Sequence, residues 1–464
     1  MTGWIQRVIP INQQFGLPLH ARAAPQFQRN IATDGAALRA LKTAFVLLLV
    51  VSAVTTTRAQ TNRLSLAEAK RLAFARNWDL LAAQSDVDAA SAQKIIAREF
   101  PNPSLSWTTM KISVDNHPGS TPSGNGLWER SYDTIAAVNQ LFEIGGKRSS
   151  RRASAAAGYE AARARLFDAK RILDLAVTKA YIAALQADLN VQILSQSAQS
   201  LRKEAQIAET RLNAGDISRM DKDQIEIAAE RFELDARSAQ ATATSLRIAL
   251  QTLLGNPRGE AEWTAADSLE TLADAGAPVG EPGVAAPRPD LLAAEALLKK
   301  TEADLRLQKA MRVPDPTLQF NYEHEPPDQP NTVGLGLSFP LPLWNRNQGA
   351  IRLAEASRAQ ANAIVGKIRT QIGSEVESAR VGYQDGSTRW KRYREQILPR
   401  SEEVRKTVAF AYEKGGASLL DLLSAERNDN DVRLATAQAA ADTAAAAASL
   451  KAALNLQDEN RTEK

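Results

Sequence analysis

Residues 149–215 read SSRRASAAAGYEAARARLFDAKRILDLAVTKAYIAALQADLNVQILSQSAQSLRKEAQIAETRLNAG. No proline interrupts the run, and Gly158 is its one glycine before Gly215 closes it. A continuous helix from Ser149 to Asn213 would extend ~98 Å at 1.5 Å per residue. Helices of that length do not stand alone in globular domains, so neighbours must support it. Its apolar residues recur every seven positions: Leu166, Leu173, Ala180, Ala187, Leu194, Leu201 and Ala208. A second row holds Ala162, Ala169, Ala176 and Ala183. Beyond Gly215 a return helix carries the same spacing. Ile225, Phe232, Ala239, Leu246 and Leu253 form one row, and Ala229, Ala236, Ala243 and Leu250 the other. A sustained repeat of seven sets a left-handed supercoil, and so much alanine at the seams means close helix approach.

The chain repeats itself, which fixes its organisation. Trp78-Asp79-Leu80-Leu81-Ala82-Ala83 returns as Pro289-Asp290-Leu291-Leu292-Ala293-Ala294, and Pro101-Asn102-Pro103 as Pro314-Asp315-Pro316. Gly215 has Asp221 six residues on, and Gly415 has Asp421 six residues on. Two halves follow, 60–255 and 289–464, separated by a Pro/Gly/Ala-rich equatorial linker over 256–288. Each half reads helix, strand pair, long helix, helix. The first helix spans about Leu66 to Arg98, capped by Ser65 and stopped at Pro101. In the second half Val376, Tyr383, Trp390, Ile397, Val404 and Ala411 lie seven apart on a helix from about Gln348 to Lys414. Pro399 falls inside that helix and is expected to kink or unwind it.

Strand-like runs lie around Ser104–Val114 and Tyr132–Phe142, joined by a polar loop (Asp115–Gly126), before Gly145-Gly146 turns the chain into the long helix. In the second half Leu318, Phe320 and Tyr322 alternate with Gln319, Asn321 and Glu323, while Val333, Leu335, Leu337 and Phe339 alternate with Gly334, Gly336 and Ser338. A barrel strand between lipid and water needs this pattern; a half-buried soluble hairpin also shows it. Four strands cannot close a barrel, and open edges do not survive in lipid. Membrane placement therefore requires several chains to share one barrel.

Composition agrees with a helical, exported chain. Aromatics are 5% of 464 residues, and 57 Lys+Arg are interspersed with 53 Asp+Glu, so solvated helix faces are expected and nucleic acid is not. The absence of cysteine excludes disulfides, thiolate chemistry and a lipid-bearing N-terminal cysteine. Residues 1–59 read as a leader: Arg39 and Lys42, the apolar run Ala44 to Val54, then Thr57-Arg58-Ala59 as a cleavage site. No later run is long and apolar enough for a transmembrane helix.

These features together resemble the TolC-type outer membrane factors of efflux and secretion systems, over about Leu64 to Leu456. Gln140-Leu141-Phe142-Glu143-Ile144-Gly145-Gly146-Lys147-Arg148 is similar to the strand-to-helix junction of the cobalt–zinc–cadmium branch. Ser338-Phe339-Pro340-Leu341-Pro342-Leu343-Trp344-Asn345-Arg346-Asn347-Gln348-Gly349 is similar to its counterpart. The resemblance implies a mainly α fold with a small β part. It implies a homotrimer whose four strands per chain share a 12-stranded outer-membrane barrel above a long coiled-coil α-helical barrel in the periplasm. The implied partners are a periplasmic adaptor, an inner-membrane resistance–nodulation–division (RND) pump and outer-membrane lipid. At the periplasmic aperture it implies a gate of Asp221, Tyr412 and Asp421 near the repeat-turn glycines Gly215 and Gly415. Asp221 would pair with Tyr412, and Asp421 would line the entrance. Two family positions are changed, to Ala417 and Ser424. Asp221 and Asp421 also stand in the first turn of a helix, where carboxylates favour the dipole without any gate.

No enzyme chemistry is legible. Gly145-Gly146-Lys147-Arg148-Ser149 lacks the spacing of a phosphate loop. His20 falls in the leader; His117 and His324 are expected in solvated loops, and no metal or cofactor site is expected. The leading expectation is a passive exit duct, for divalent heavy-metal cations. Drug efflux or type I protein secretion keeps the fold and changes the cargo. A soluble coiled-coil adaptor would need an inserted lipoyl-like or barrel domain, which the sequence does not show.

Overall fold

The computed structural model describes residues 63–110, 133–256, 263–276, 287–325 and 329–456. The leader, His20, His117, the loop Asp115–Gly126 and the ends of the first two expected strands lie outside them. The first half holds β1 (Arg63–Leu64), α1 (Leu66–Arg76), α2 (Trp78–Ile96), β2 (Ser104–Met110), β3 (Asp133–Leu141), α3 (Lys147–Ala214) and α4 (Arg219–Leu253). Within the linker lie β4 (Thr264–Ala265) and α5 (Leu269–Asp274). The second half holds α6 (Pro289–Ala310), β5 (Thr317–Glu325), β6 (Gln329–Ser338), α7 (Gln348–Arg392), α8 (Leu398–Glu413) and α9 (Leu419–Ala453).

The long helix α3 has 68 residues and forms as the heptads require. Leu166, Leu173, Ala187, Leu194, Leu201 and Ala208 are buried, with Ala180 half-buried. On α4, Ile225, Phe232, Ala229, Ala243 and Leu250 are buried against it. The expected single first helix is instead two. Asn77 ends α1 in an extended conformation and caps α2, its side chain accepting the Leu80 N–H (3.1 Å) and donating to the Leu253 carbonyl (3.1 Å). Asn77 thereby ties the helix break to the end of α4.

Pro399 acts as expected. Its missing N–H leaves the Glu395 carbonyl without an α-helical donor, and the chain answers with a π turn over Tyr393–Ile397 between α7 and α8. Around the middle of α3 the linker closes a clasp. β4 pairs in parallel with β1, and the fully buried Tyr181 donates its hydroxyl hydrogen between the Leu64 carbonyl (2.8 Å) and Asp267 (3.0 Å). Trp263 stacks on the Tyr181 ring, 6.0 Å between centroids.

The four longer strands form one antiparallel sheet in the order β2-β3-β5-β6, so the two hairpins meet at β3 and β5. Leu105, Val138, Phe320 and Leu335 make one cross-strand row; Trp107, Ala136, Tyr322 and Val333 make the next. This face is apolar and open, with Leu105 76% and Leu335 78% exposed. The opposite face carries Ser106, Ala137, Asn321 and Gly334 in register. A Cβ on Gly334 would sit 2.6 Å from the Asn321 side-chain oxygen, so glycine there lets the β5 amide lie across β6. Among the described residues both outer strands, β2 and β6, keep unpaired edges. No helix among the described residues is long and apolar enough to cross a membrane.

Candidate functional site

Two places collect the sequence-derived residues: the helix tips and the strand–helix junctions. At the tips Gly215 (φ 82°) and Gly415 (φ 77°) adopt the left-handed conformation that closes a helix. The Asp216 N–H donates to the Arg211 carbonyl (2.9 Å), and the Gly416 N–H to the Ala411 carbonyl (2.7 Å). Each turn is followed by a capping box. Ser218 and Asp221 cap α4 reciprocally, and Ser418 and Asp421 cap α9 in the same way. The Ser418 hydrogen bonds hold the Asp421 carboxyl below its ordinary range.

The Asp221–Tyr412 hydrogen bond implied by the resemblance is not made. The Asp221 carboxylate accepts from the Ser218 hydroxyl (2.8 Å) and N–H (3.3 Å). Tyr412 instead lies beneath Arg211, whose guanidinium is 5.6 Å from the ring centroid. The α3–α4 and α8–α9 hairpins are joined here by apolar packing. Leu201, Ala205, Ala208, Ile225 and Phe232 meet Leu419, Leu422 and Leu423, with Tyr412 at the margin. Further up, Ser197 donates to the buried Asn430 (3.0 Å). Within the α8–α9 hairpin, Arg405 reaches Glu426 (3.2 Å) and Asp429 (3.2 Å), while Arg433 reaches Asp429 (2.8 Å) and Glu402 (3.0 Å). Sequence reasoning missed these charges, and also Glu204. Burial pushes the Glu204 carboxyl above its ordinary value; Arg211 opposes this, while Glu426 and Glu413 add to it.

At the junction, Gly145 (φ 71°) and Gly146 (φ 78°) are consecutive left-handed residues. They turn the chain so that Lys147, buried, reaches the second half. Its ammonium donates to the Val313 carbonyl (2.6 Å) and pairs with Asp315 (2.6 Å), which also accepts the Ile144 N–H (2.9 Å). Arg151 grips Glu143 through two bonds (2.5 and 2.8 Å) and holds that carboxyl below its ordinary value. At the second junction the left-handed residue is Asn347 (φ 59°), whose amide donates to the Gln308 carbonyl (2.8 Å). Gly349 lies in the first turn of α7 with open space around it, so it is not the residue that makes the turn.

His324 departs from expectation: it lies in β5, buried, with Nδ1 3.2 Å from the Asn331 side-chain oxygen. It continues the parity of Leu318, Phe320 and Tyr322. On the other face the carboxylates of Asp133, Glu323 and Glu325 come within 4.8 Å of one another, the one such grouping among the described residues. An all-oxygen set lacks the imidazole or thiolate that selects softer metals.

The family model described as outer membrane efflux protein matches residues 70–256 and 284–456. The chain belongs to the outer membrane efflux protein family. It is 28% identical to the cobalt-zinc-cadmium resistance protein CzcC of Cupriavidus metallidurans over 78% of this chain and 83% of that one. It is 25% identical to the pyoverdine export outer membrane protein OpmQ of Pseudomonas putida, over 80% of this chain and 83% of that one. The solved structure of CusC superposes with a TM-score of 0.68 at 18% identity, covering 84% of this chain and 91% of that one. An outer membrane efflux protein is a passive channel of a tripartite pump, and its fold is the TolC type.

Proposed function

We propose that this outer membrane efflux protein is the trimeric exit duct for divalent heavy-metal cations, joined through a periplasmic adaptor to an RND-type inner-membrane pump. The observation that carries the cargo is the 28% identity to CzcC over most of both chains. The junction sequences Gly145-Gly146-Lys147-Arg148 and Asn345-Arg346-Asn347-Gln348-Gly349 support the same branch. The four-stranded sheet with its open edges and exposed apolar face supports a barrel shared by several chains, and the family resemblance supports three. Residues 1–59 direct export. The helix tips form the aperture, with Asp421 at the entrance and Asp221 and Tyr412 at the ends of the two hairpins. Outer-membrane lipid surrounds the sheet, and the duct needs no cofactor.

Deleting the gene and measuring growth with zinc, cadmium, cobalt and copper tests the cargo. Lost resistance to at least one of these metals is expected. Unchanged resistance to all four, with new sensitivity to organic compounds, would sink the metal reading and favour the second one, export of organic molecules. The similarity to OpmQ speaks for that second reading. Recovery of the protein in the soluble periplasmic fraction would overturn the duct itself.

A further inference from the structure

We propose that the foot of the sheet carries a site for the phosphate headgroup of an anionic phospholipid, in a pocket between the end of α2 and the start of α3. The pocket has a volume of about 320 Å³ and is lined by Lys94, Arg98, Ser149, Arg152, Ala153 and Ala156. Three cationic residues line it, and no carboxylate does. The Lys94 ammonium lies 4.1 Å from the centre of the Tyr159 ring. The exposed guanidinium groups of Arg98 and Arg152 have no ion-pair partner among the described residues.

The neighbouring cations show that this is unusual for the region. Lys147 pairs with Asp315 and Arg151 with Glu143. The first turn of α3 holds no acidic residue. Arg152 stands beside the positive end of the longest helix dipole without such a carboxylate, a place where an external anion is favoured. Phosphate oxygens accept from guanidinium and ammonium donors in the manner the pocket offers.

What selects a lipid over a free anion is the surface above. Arg98 is two residues from Phe100, which is 67% exposed, and Ile95 and Ile96 are exposed beside it. The Arg148 guanidinium lies 3.7 Å from the centre of the Phe100 ring. This places the first turn of α3 on the same side as that ring, with Arg152 one turn further along. β2 and β3, with their open apolar rows, begin and end just beyond. Acyl chains can lie along the exposed apolar surface while the phosphate reaches down to the cations.

The proposal rests on the reading that the sheet lies in the outer membrane. The test uses the purified full-length protein in a neutral detergent. It is titrated by native mass spectrometry with short-chain phosphatidylglycerol, short-chain phosphatidylcholine and inorganic phosphate. Phosphatidylglycerol is expected to bind, and phosphatidylcholine is expected to bind at least tenfold more weakly. Removing both cations in the double variant Arg98→Gln, Arg152→Gln is expected to weaken phosphatidylglycerol binding about 25-fold, about fivefold per cation. The charge-keeping variant Arg98→Lys, Arg152→Lys should bind close to wild type, as should Lys203→Gln on the far part of α3. Equal binding of the two lipids, or an unaffected double glutamine variant, would overturn the proposal. So would displacement of the lipid by an equal concentration of phosphate, which would make this a free-anion site. Membrane fractionation separates the two failures: a protein that sediments with the outer membrane yet ignores phosphatidylglycerol defeats only this site.

Discussion

The pair Lys147–Asp315 ties the two halves together at the point where strands become helices, and its removal has a calculable consequence. Lys147 comes from the Gly145-Gly146 turn of the first half, Asp315 from the Pro314-Asp315-Pro316 turn of the second. Their side chains are 8% and 19% exposed. Asp315→Ala strands a buried ammonium that keeps only the Val313 carbonyl, and orphans the Ile144 N–H. Breaking a buried pair from one side costs about 3–5 kcal/mol, and the surviving carbonyl puts this case near the lower figure. Lys147→Met removes the charge, fills similar volume and leaves Asp315 its bond to Ile144, at a cost of about 1–2 kcal/mol. The double variant has no stranded charge, so its cost falls below the sum of the singles by about 2 kcal/mol. Urea unfolding of the solubilised protein, followed by the loss of helical circular dichroism, measures all three against wild type. Costs that add within about 0.5 kcal/mol would refute the coupling and the reading of this junction as an interlock between halves.

Three further outcomes are expected. Ser218→Ala and Asp221→Ala should each destabilise by about 1 kcal/mol in the same urea assay, with little added by combining them, because both break one capping box. Because Asp221 is bonded to Ser218 and not to Tyr412, Asp221→Ala together with Tyr412→Phe should leave single-channel conductance in planar bilayers unchanged; a rise would reinstate the latch. Glu204→Gln should flatten the pH dependence of stability. The Glu204 carboxyl is held above its ordinary value, so its native state binds the proton more tightly than the unfolded chain does. Wild-type stability is therefore favoured below the ordinary carboxylate range and falls as pH rises through the native value. Urea midpoints that track pH equally in wild type and Glu204→Gln would contradict this.

Much of the fold was legible because heptads and alternation are local signals. The α3 row from Leu166 to Ala208 is buried except for the half-buried Ala180, and Leu318–Tyr322 predicted the open face of the sheet. Pro399 announced a local kink or unwinding, which the structure takes as the π turn over Tyr393–Ile397, since a missing donor has a fixed position. The break at Asn77 escaped because neither proline nor glycine marks it. Its signal is subtler: an N-cap asparagine followed by Asp79 in the next first turn. His324 escaped because the strand was ended too soon, although its parity with Tyr322 was on view. Lys147 and Asp315 each sat in a recognised motif, yet nothing local says that a residue of one half will find a residue of the other.

The tips show why a repeated residue is weak evidence for a gate. Asp221 and Asp421 recur at equal distances from Gly215 and Gly415, and both do the same work, capping the helix that follows. A demand shared by both hairpins explains them without any aperture. A contact between the hairpins has a different signature, because its two sides must be complementary rather than alike. Arg211, four before Gly215, corresponds to Ala411; Tyr412, three before Gly415, corresponds to Leu212. Glu204, eleven before its glycine, corresponds to Val404, and Glu413 to Asn213. Arg211 and Tyr412, which meet across the hairpins, come from positions where the halves have diverged, and so do Glu204 and Glu413; Glu426, which also acts on Glu204, instead matches Glu226. Where two copies of one unit pack on each other, direct contacts between them call for complementary and so for differing residues, and the shared capping residues mark the turns that both must fold.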